Sequence, residues 1–445
     1  MGSTVDGLVS GMDTTAMIAS MMRIESQPKL MLQTKVTTAQ TAVSSYQSVN
    51  SKLSTLKNAA DDLSQLSTWR SIKPTVSSSS VVATAPGGTS TATGTVTFDV
   101  VSLAKAQSNT ARVASTGDIT SADSIDVTIG SGDTAKTTTI DISKDRSAAG
   151  IAGAITSAGI AVKASVVATS QGDSVLQLNG TRTGAANAFS IAGLDTLTMY
   201  TTTTASDANI QVGGADDQGG YNLTSDTNTF TGLMAGVTMT VSKVETGISL
   251  TSDNDIAGIA AKFQALVDAA NGTLTEVSNQ TAYDSSTNTR SPLTGDFMVR
   301  QMSQSILSNV SKGLSFTDPN DPTKTIPFGS LSKFGIQLDR SGQLSFDAAK
   351  FTAAYSADPA SIKAAGIAFG DSFETVATKQ RDNVTSAITS RNNQVDSLNL
   401  QIDNWDVRLT AKQQALMKTY ATLETALGKL KDQSSWLSGQ IASLG

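Results

Sequence analysis

From position 388 to position 444 an apolar residue recurs at every seventh place: Ile388, Val395, Ile402, Leu409, Leu416, Leu423, Leu430, Leu437 and Leu444. A seven-residue period lies close to two helical turns, so these side chains share one helix face, the pattern of a coiled coil. A second row runs beside the first, with Leu398 and Trp405 early and Tyr420, Leu427 and Ile441 later. Residues 372–438 hold no Pro and only one Gly, Gly428, so nothing local interrupts the helix. Asp371 with Glu374 predicts an N-cap and capping box at its start. A straight helix over that span would measure about 110 Å at about 1.5 Å per residue. No compact domain encloses such a length, so part of the seam needs a partner.

The other end of the chain supplies one. Ala42, Tyr46, Val49, Leu53, Leu56, Ala60 and Leu63 alternate spacings of four and three, and Val36, Ala39 and Val43 extend the row backwards with a small register shift. Asp13 is placed to cap a short first helix over 14–26, which Pro28 ends or kinks at about Gln27. The simplest arrangement pairs the two chain ends as an antiparallel coiled coil with both termini at its far tip. Two helices alone cannot shield faces this long, and wet apolar surface is costly, at about 25 cal/mol per Å². Self-assembly through the termini follows as an expectation.

Between the ends lie most of the glycines and prolines and the Thr/Ser-rich runs. Val96–Val101 reads as a strand. Ser124–Ile129 and Thr137–Ile142 read as a hairpin across Gly130-Ser131-Gly132-Asp133. A short helix is expected over 148–158. Ile160–Thr169 and Ser174–Asn179 read as strands joined at Gln171-Gly172-Asp173, and Gly236–Ser242 with Ile248–Thr251 as another pair. Helices return at 256–279 and 296–312. Phe334–Phe346 predicts a hairpin around Arg340-Ser341-Gly342, and the Pro-rich Asp318–Pro327 stretch a loop.

If the ends pair, everything between them is inserted into a helical stem. The expected fold is therefore α+β, of discontinuous nested domains: a terminal antiparallel coiled coil, a helical and hairpin stem, and β-rich distal head domains. The expected boundaries are 1–66 for the N-terminal helical leg and 67–90 for a connection into the stem. A first β-domain takes 91–120 and 198–247, with an inserted β-rich head at 121–197. The stem takes 248–371 and the C-terminal leg 372–445.

Composition removes several kinds of chemistry. The 445 residues include no Cys and no His, which excludes a thiolate nucleophile, a His general base, zinc fingers and His-ligated haem. A net charge of −6 and 5% aromatics argue against nucleic-acid binding. No run of about 18 apolar residues predicts a membrane span. Absence of Cys also suits a protein exported unfolded. No catalytic motif stands out. Asp339, Ser341, Gly342 and Asp347 faintly suggest a calcium loop but lack its regular ligands. Asp253 and Asp255 read as cap residues, Asp216-Asp217 as a solvated pair. No catalytic residue, cofactor or metal is expected.

The opening Gly7-Leu8-Val9-Ser10-Gly11-Met12-Asp13 resembles the start of the bacterial flagellar filament cap family, also called flagellar hook-associated protein 2. Glu25-Ser26-Gln27-Pro28, Phe98–Ala104, Asn228–Val241, Leu293-Thr294-Gly295-Asp296 and Gly335–Asp347 match that family in order, and the last helix closes the match. Met12 stands where Leu is commoner. Thr139–Ile191 is similar to an insert of flagellin-related proteins.

The resemblance implies a non-enzymatic protein exported through the flagellar channel to the distal filament tip. It implies a ring-like homo-oligomer, described for the family as a pentamer, which retains flagellin and promotes its polymerisation. The implied partners are the protein itself, flagellin, the hook–filament junction protein and an export chaperone, with no nucleic acid and no membrane. Oligomer and leg contacts are expected at Val49, Leu53, Leu56, Leu63, Leu409, Leu416, Leu423, Leu430, Leu437 and Leu444, and a terminal anchor at Gly7, Leu8, Ser10, Gly11 and Asp13. The alternatives are another flagellar axial protein, flagellin-like or of the junction type, and a surface adhesin.

Overall fold

A computed structural model describes residues 11, 13–86, 91–214, 219–318 and 321–442. Gly7, Leu8, Ser10, Asp216, Asp217 and Leu444 lie outside the described residues. The helices are α1 (Thr14–Glu25), α2 (Gln27–Ser64), α3 (Ala148–Ser157), α4 (Ile256–Thr281), α5 (Phe297–Ser311), α6 (Ala348–Ala357) and α7 (Pro359–Ala442). The chain divides into two compact units, residues 1–65 with 260–445, and residues 66–259.

In the first unit local chemistry sets the helix ends. The Asp13 carboxylate accepts from the Ala16 amide at 2.7 Å and so caps α1. Pro28 stands in the first turn of α2, where its missing N–H is no loss, so the chain turns at Ser26 and a second helix starts at once. Asp296 caps α5 through the Val299 amide at 3.1 Å.

The long helix begins earlier than the capping argument places it. Asp371 is not an N-cap, because α7 is already helical from Pro359, and the cap is Asp358, which accepts from the Ser361 amide at 3.1 Å. Gly366 and Gly370 are both buried inside α7. Gly370 is there for space: a Cβ on it would stand 2.6 Å from the Ser64 amide nitrogen and 2.8 Å from the Ala60 carbonyl oxygen of α2.

Around this crossing the unit builds its interior. Ala42, Tyr46, Val49 and Leu53 of α2 pack with Val277, Leu293, Val299, Met302 and Val384. Phe263 of α4 is the hub of an aromatic group, with ring centroids 4.8 Å from Phe351, 5.2 Å from Phe334 and 6.1 Å from Phe369. The hairpin Ile336–Leu338 with Leu344–Phe346 matches the sequence expectation. The Pro-rich stretch does not, since Leu314–Asp318 and Asp321–Gly329 pair as two strands. A two-stranded ladder has an open edge on each side, which is where proline is tolerated.

In the second unit an antiparallel five-stranded sheet runs Ile72–Val76, Glu245–Asn254, Gly94–Ser102, Ala208–Val212, Tyr221–Ser225. A smaller sheet, Thr229–Phe230, Thr238–Val241, Val81–Thr84, shares its core of Phe98, Val100, Ile210, Met239 and Leu250. Two sequence expectations change here. Thr238–Val241 and the strand through Ile248–Thr251 are not partners; they lie in different sheets. Residues 67–90, expected to lead into the stem, instead supply Ile72–Val76 and Val81–Thr84 to these two sheets.

A second core in this unit gathers Ile125, Val127, Ile140, Ile151, Ile155, Val162, Leu176, Leu178 and Phe189. Its sheets are Tyr200–Thr203, Ser108–Val113, Ser174–Gly180, Val162–Ala168, and Lys136–Asp141, Ser124–Ile129, Phe189–Ala192. Along Ser174–Gly180 the buried positions alternate as Ser174, Leu176 and Leu178, so one face packs inward while the other carries the half-buried Val175, Gln177 and Asn179.

Candidate assembly interface

The two helical ends of the chain run antiparallel, and their charges show the register. Lys57 pairs with Glu374 at 2.9 Å, Lys29 with Asp406, and Glu25 with Lys412 at 3.6 Å. Beyond these the Tyr420 hydroxyl donates to the Met17 sulfur at 2.9 Å. Each step down the N-terminal helices is matched by a step up α7, as an antiparallel coiled coil requires. Partly exposed ion pairs contribute only about 0–1 kcal/mol each, so their physical role is to hold the register rather than to stabilise the unit.

The upper part of this coil is closed by its own unit. The Tyr46 hydroxyl donates to the Asp296 carboxylate, which ties α2 to the start of α5. Burial first, and then the Asp296 carboxylate, push the Tyr46 pKa up to about 12. Ser48 donates to Glu276 at 2.6 Å, and that hydrogen bond holds the Glu276 carboxyl below its usual range. Val49, Leu53, Leu56 and Leu63 are completely buried here. Val49 and Leu53 pack against Val277 of α4, Val299 and Met302 of α5 and Val384 of α7, a contact within the leg's own unit.

Toward the tip the cover runs out. Full burial on α2 ends at Ala39, and on α7 beyond Val384 only Leu398 and Glu424 are buried. Leu409 and Leu416 lie half-buried on the seam against the N-terminal helices. Leu423 is 42% exposed, Leu430 60% and Leu437 54%, and Trp436 and Ile441 beside them are exposed as well. These side chains are already partly covered, so burying the remainder would contribute about half of the 1.5–3 kcal/mol of a fully exposed apolar side chain. Gly11 has φ +69°, in the left-handed region that glycine adopts without strain, just ahead of the Asp13 cap.

A further apolar row went unread in the sequence. Ile24 and Met31 on the N-terminal helices, and Leu400 and Val407 on α7, are exposed. Each pair is itself spaced by seven, the signal that could have revealed it. Arg408 stacks over the Trp405 ring at 4.4 Å and covers part of the second seam row.

Of the carboxylates weighed as metal ligands, Asp339 serves a turn and Asp255 a cap, while Asp253, read as a cap, lies instead within the strand Glu245–Asn254 opposite Lys73. Asp339 accepts from the Ser341 amide at 2.8 Å and the Gln343 amide at 2.8 Å inside its hairpin, and Asp255 caps α4 through the Gly258 amide at 2.9 Å. Among the described residues no group of three or more Asp or Glu is placed to hold a metal ion, and no helix is long and apolar enough to cross a membrane.

Comparison with known proteins places this architecture. The flagellar hook-associated protein 2 C-terminus matches residues 205–432, and the flagellar hook-associated protein 2 N-terminus matches residues 10–107. Flagellar hook-associated protein 2 of Campylobacter jejuni is 33% identical over 150 residues, 32% of this chain and 23% of that protein. The Escherichia coli K12 protein of the same name is 25% identical, over 98% of this chain and 97% of its own length. The crystal structure of the D1-D2-D3 domains of the flagellar cap protein FliD from Escherichia coli superposes with a TM-score of 0.61 at 24% identity, over 78% of this chain and 99% of that one.

Proposed function

This chain belongs to the flagellar hook-associated protein 2 family, and from that premise we propose that it forms the cap at the distal tip of the flagellar filament. There it assembles with copies of itself, retains exported flagellin and promotes its polymerisation. The family is a structural one, and no catalytic step is part of this reading. The observation that carries it is the gradient along α7, where one heptad row stays half-buried from Ile388 through Leu416 and becomes exposed at Leu423, Leu430 and Leu437. A helix that ends its own chain's cover while continuing its apolar face is built to be completed by other molecules.

Within this reading Leu423, Leu430 and Leu437 are the oligomer and leg contacts, with Leu409 and Leu416 setting the register above them. Gly7, Leu8, Ser10, Gly11 and Asp13 form the anchor at the tip, and Leu444 continues the seam. The specific partners are flagellin, the hook–filament junction protein and an export chaperone, with a small closed ring, a pentamer, as the assembled state. Leu423→Asp with Leu430→Asp tests it: the variant is expected to lose oligomer mass by light scattering and to fail to restore filaments to a cap-deficient strain. Restored filament growth by that variant would refute the leg as the contact. Open-ended polymers of the unaltered protein would favour a flagellin-like or junction protein instead.

A further inference from the structure

Among the described residues every exposed methionine lies on one stretch of the leg. Met17 and Met21 of α1, Met31 of α2 and Met417 of α7 reach solvent, while Met234, Met239 and Met302 are buried. The chain has no Cys, so these thioethers are the most exposed sulfur among the described residues, Met22, Met199 and Met298 being half-buried. They also hold structure together. The Tyr420 hydroxyl of α7 donates to the Met17 sulfur at 2.9 Å, and the Met21 sulfur lies 4.0 Å from the same oxygen.

That contact matters because α1 is short. Twelve residues are too few to stay helical without packing, and only Thr14 and Ile18 of α1 are buried. Its attachment to α7 therefore leans on Ile18, the two methionines and the half-exposed Glu25–Lys412 pair at 3.6 Å. A thioether suits an adaptable apolar contact, but it is chemically exposed.

We propose that Met17, Met21, Met31 and Met417 form an oxidation site for peroxide-class two-electron oxidants, and that oxidation at Met17 and Met21 releases α1 from α7. The sulfur lone pair attacks one peroxide oxygen. An S–O bond forms as the O–O bond breaks, the sulfur gives up two electrons, and the peroxide is reduced to water. The product sulfoxide is polar and chiral where the contact was apolar, so α1 exchanges its packing for solvent. Release of α1 removes cover from the seam around Tyr420, and its effect on assembly rests on the cap reading above.

The test uses the full chain with hydrogen peroxide, peptide mass spectrometry and amide hydrogen exchange. Sulfoxide is expected at Met17, Met21, Met31 and Met417 before Met239 and Met302. Exchange across Thr14–Glu25 is expected to speed up by about tenfold or more, with Val49–Leu63 unchanged. The Met17→Leu, Met21→Leu double variant is expected to keep α1 protected in peroxide, whereas Met31→Leu stays as sensitive as the unaltered protein. Unchanged α1 exchange once Met17 and Met21 are oxidised overturns the proposal, and so does equal loss of protection in Val49–Leu63, which would mark general damage. Light scattering run alongside separates the two readings. A protein that is monomeric before any oxidant counts against the cap reading, while the exchange experiment still decides the methionine site.

Discussion

Replacing Gly370 with Ala sets two physical effects against each other with opposite signs. Gly370 lies inside α7, and alanine in a helix interior is more favourable than glycine by about 0.8–1 kcal/mol. Propensity alone therefore expects stabilisation. The added Cβ, however, meets the Ser64 amide nitrogen at 2.6 Å, the Ala60 carbonyl oxygen at 2.8 Å and the Leu63 carbonyl carbon at 3.0 Å. All three are backbone atoms of α2 and cannot rotate away. Reaching the 3.4 Å of ordinary contact needs about 0.8 Å of separation between α2 and α7. That movement loosens the packing of Leu63, Phe369 and Phe373, all buried beside the crossing. Overpacking of this kind costs about 1–3 kcal/mol, and because backbone is opposed to backbone the upper part of that range applies. The net expectation is a loss of about 1–2 kcal/mol. Urea unfolding followed by far-ultraviolet circular dichroism measures it as a lower midpoint with an unchanged slope. Gly272→Ala in α4 is the control, since nothing lies within 4 Å of its Cβ position, and it should gain a few tenths to about 1 kcal/mol. If both variants are stabilised alike, the close crossing of α2 and α7 is wrong.

Phe263→Ala removes the hub ring from contact with Phe334, Phe346, Phe351 and Phe369, and is expected to cost about 3–5 kcal/mol in urea unfolding of the helical unit; a loss under about 1 kcal/mol would mean the aromatic group is not one core. The raised pKa of Tyr46 means the folded protein holds that proton more tightly than the unfolded chain. This stability is fully present below about pH 10 and is lost as pH rises through about 12, so Tyr46→Phe should flatten the alkaline limb of the stability profile between those values. Gly335 has φ +85° and its Cβ position lies 2.4 Å from the Asp347 carbonyl oxygen, so Gly335→Ala should lower the thermal midpoint clearly, whereas Gly342→Ala, with φ +83° but only the Leu307 side chain near at 3.7 Å, should pay for its backbone conformation alone. Equal midpoints for the two glycine variants would contradict the close approach at Gly335.

The periodic part of this protein was readable one residue at a time. A seven-residue apolar repeat, a matching row at the other end, Asp13 as a cap and Pro28 as a helix boundary all depend on neighbours within a few turns. The antiparallel pairing followed because two long greasy faces in one chain have few other ways to become dry. That some part of the seam would lack cover was legible for the same reason, though not that this part would be Leu430 and Leu437.

What tertiary structure alone decided was which apolar residues meet which. Nothing local distinguishes Leu53 from Leu430, yet α4 and α5 cover the first and leave the second open. The need for glycine at 370 is invisible locally, because the space it leaves is taken by the backbone of α2, more than three hundred residues earlier in the chain. Asp371 had the spacing of a cap, but packing of Ile362, Ala365 and Phe369 extends α7 past it. Thr238–Val241 and Glu245–Asn254 are neighbours in sequence that join different sheets, since strand partners are chosen by the surface each can bury rather than by proximity along the chain. Periodicity is a local property, carried by the chain itself; the choice of partner depends on shape and solvent exclusion, which exist only once the whole unit has closed.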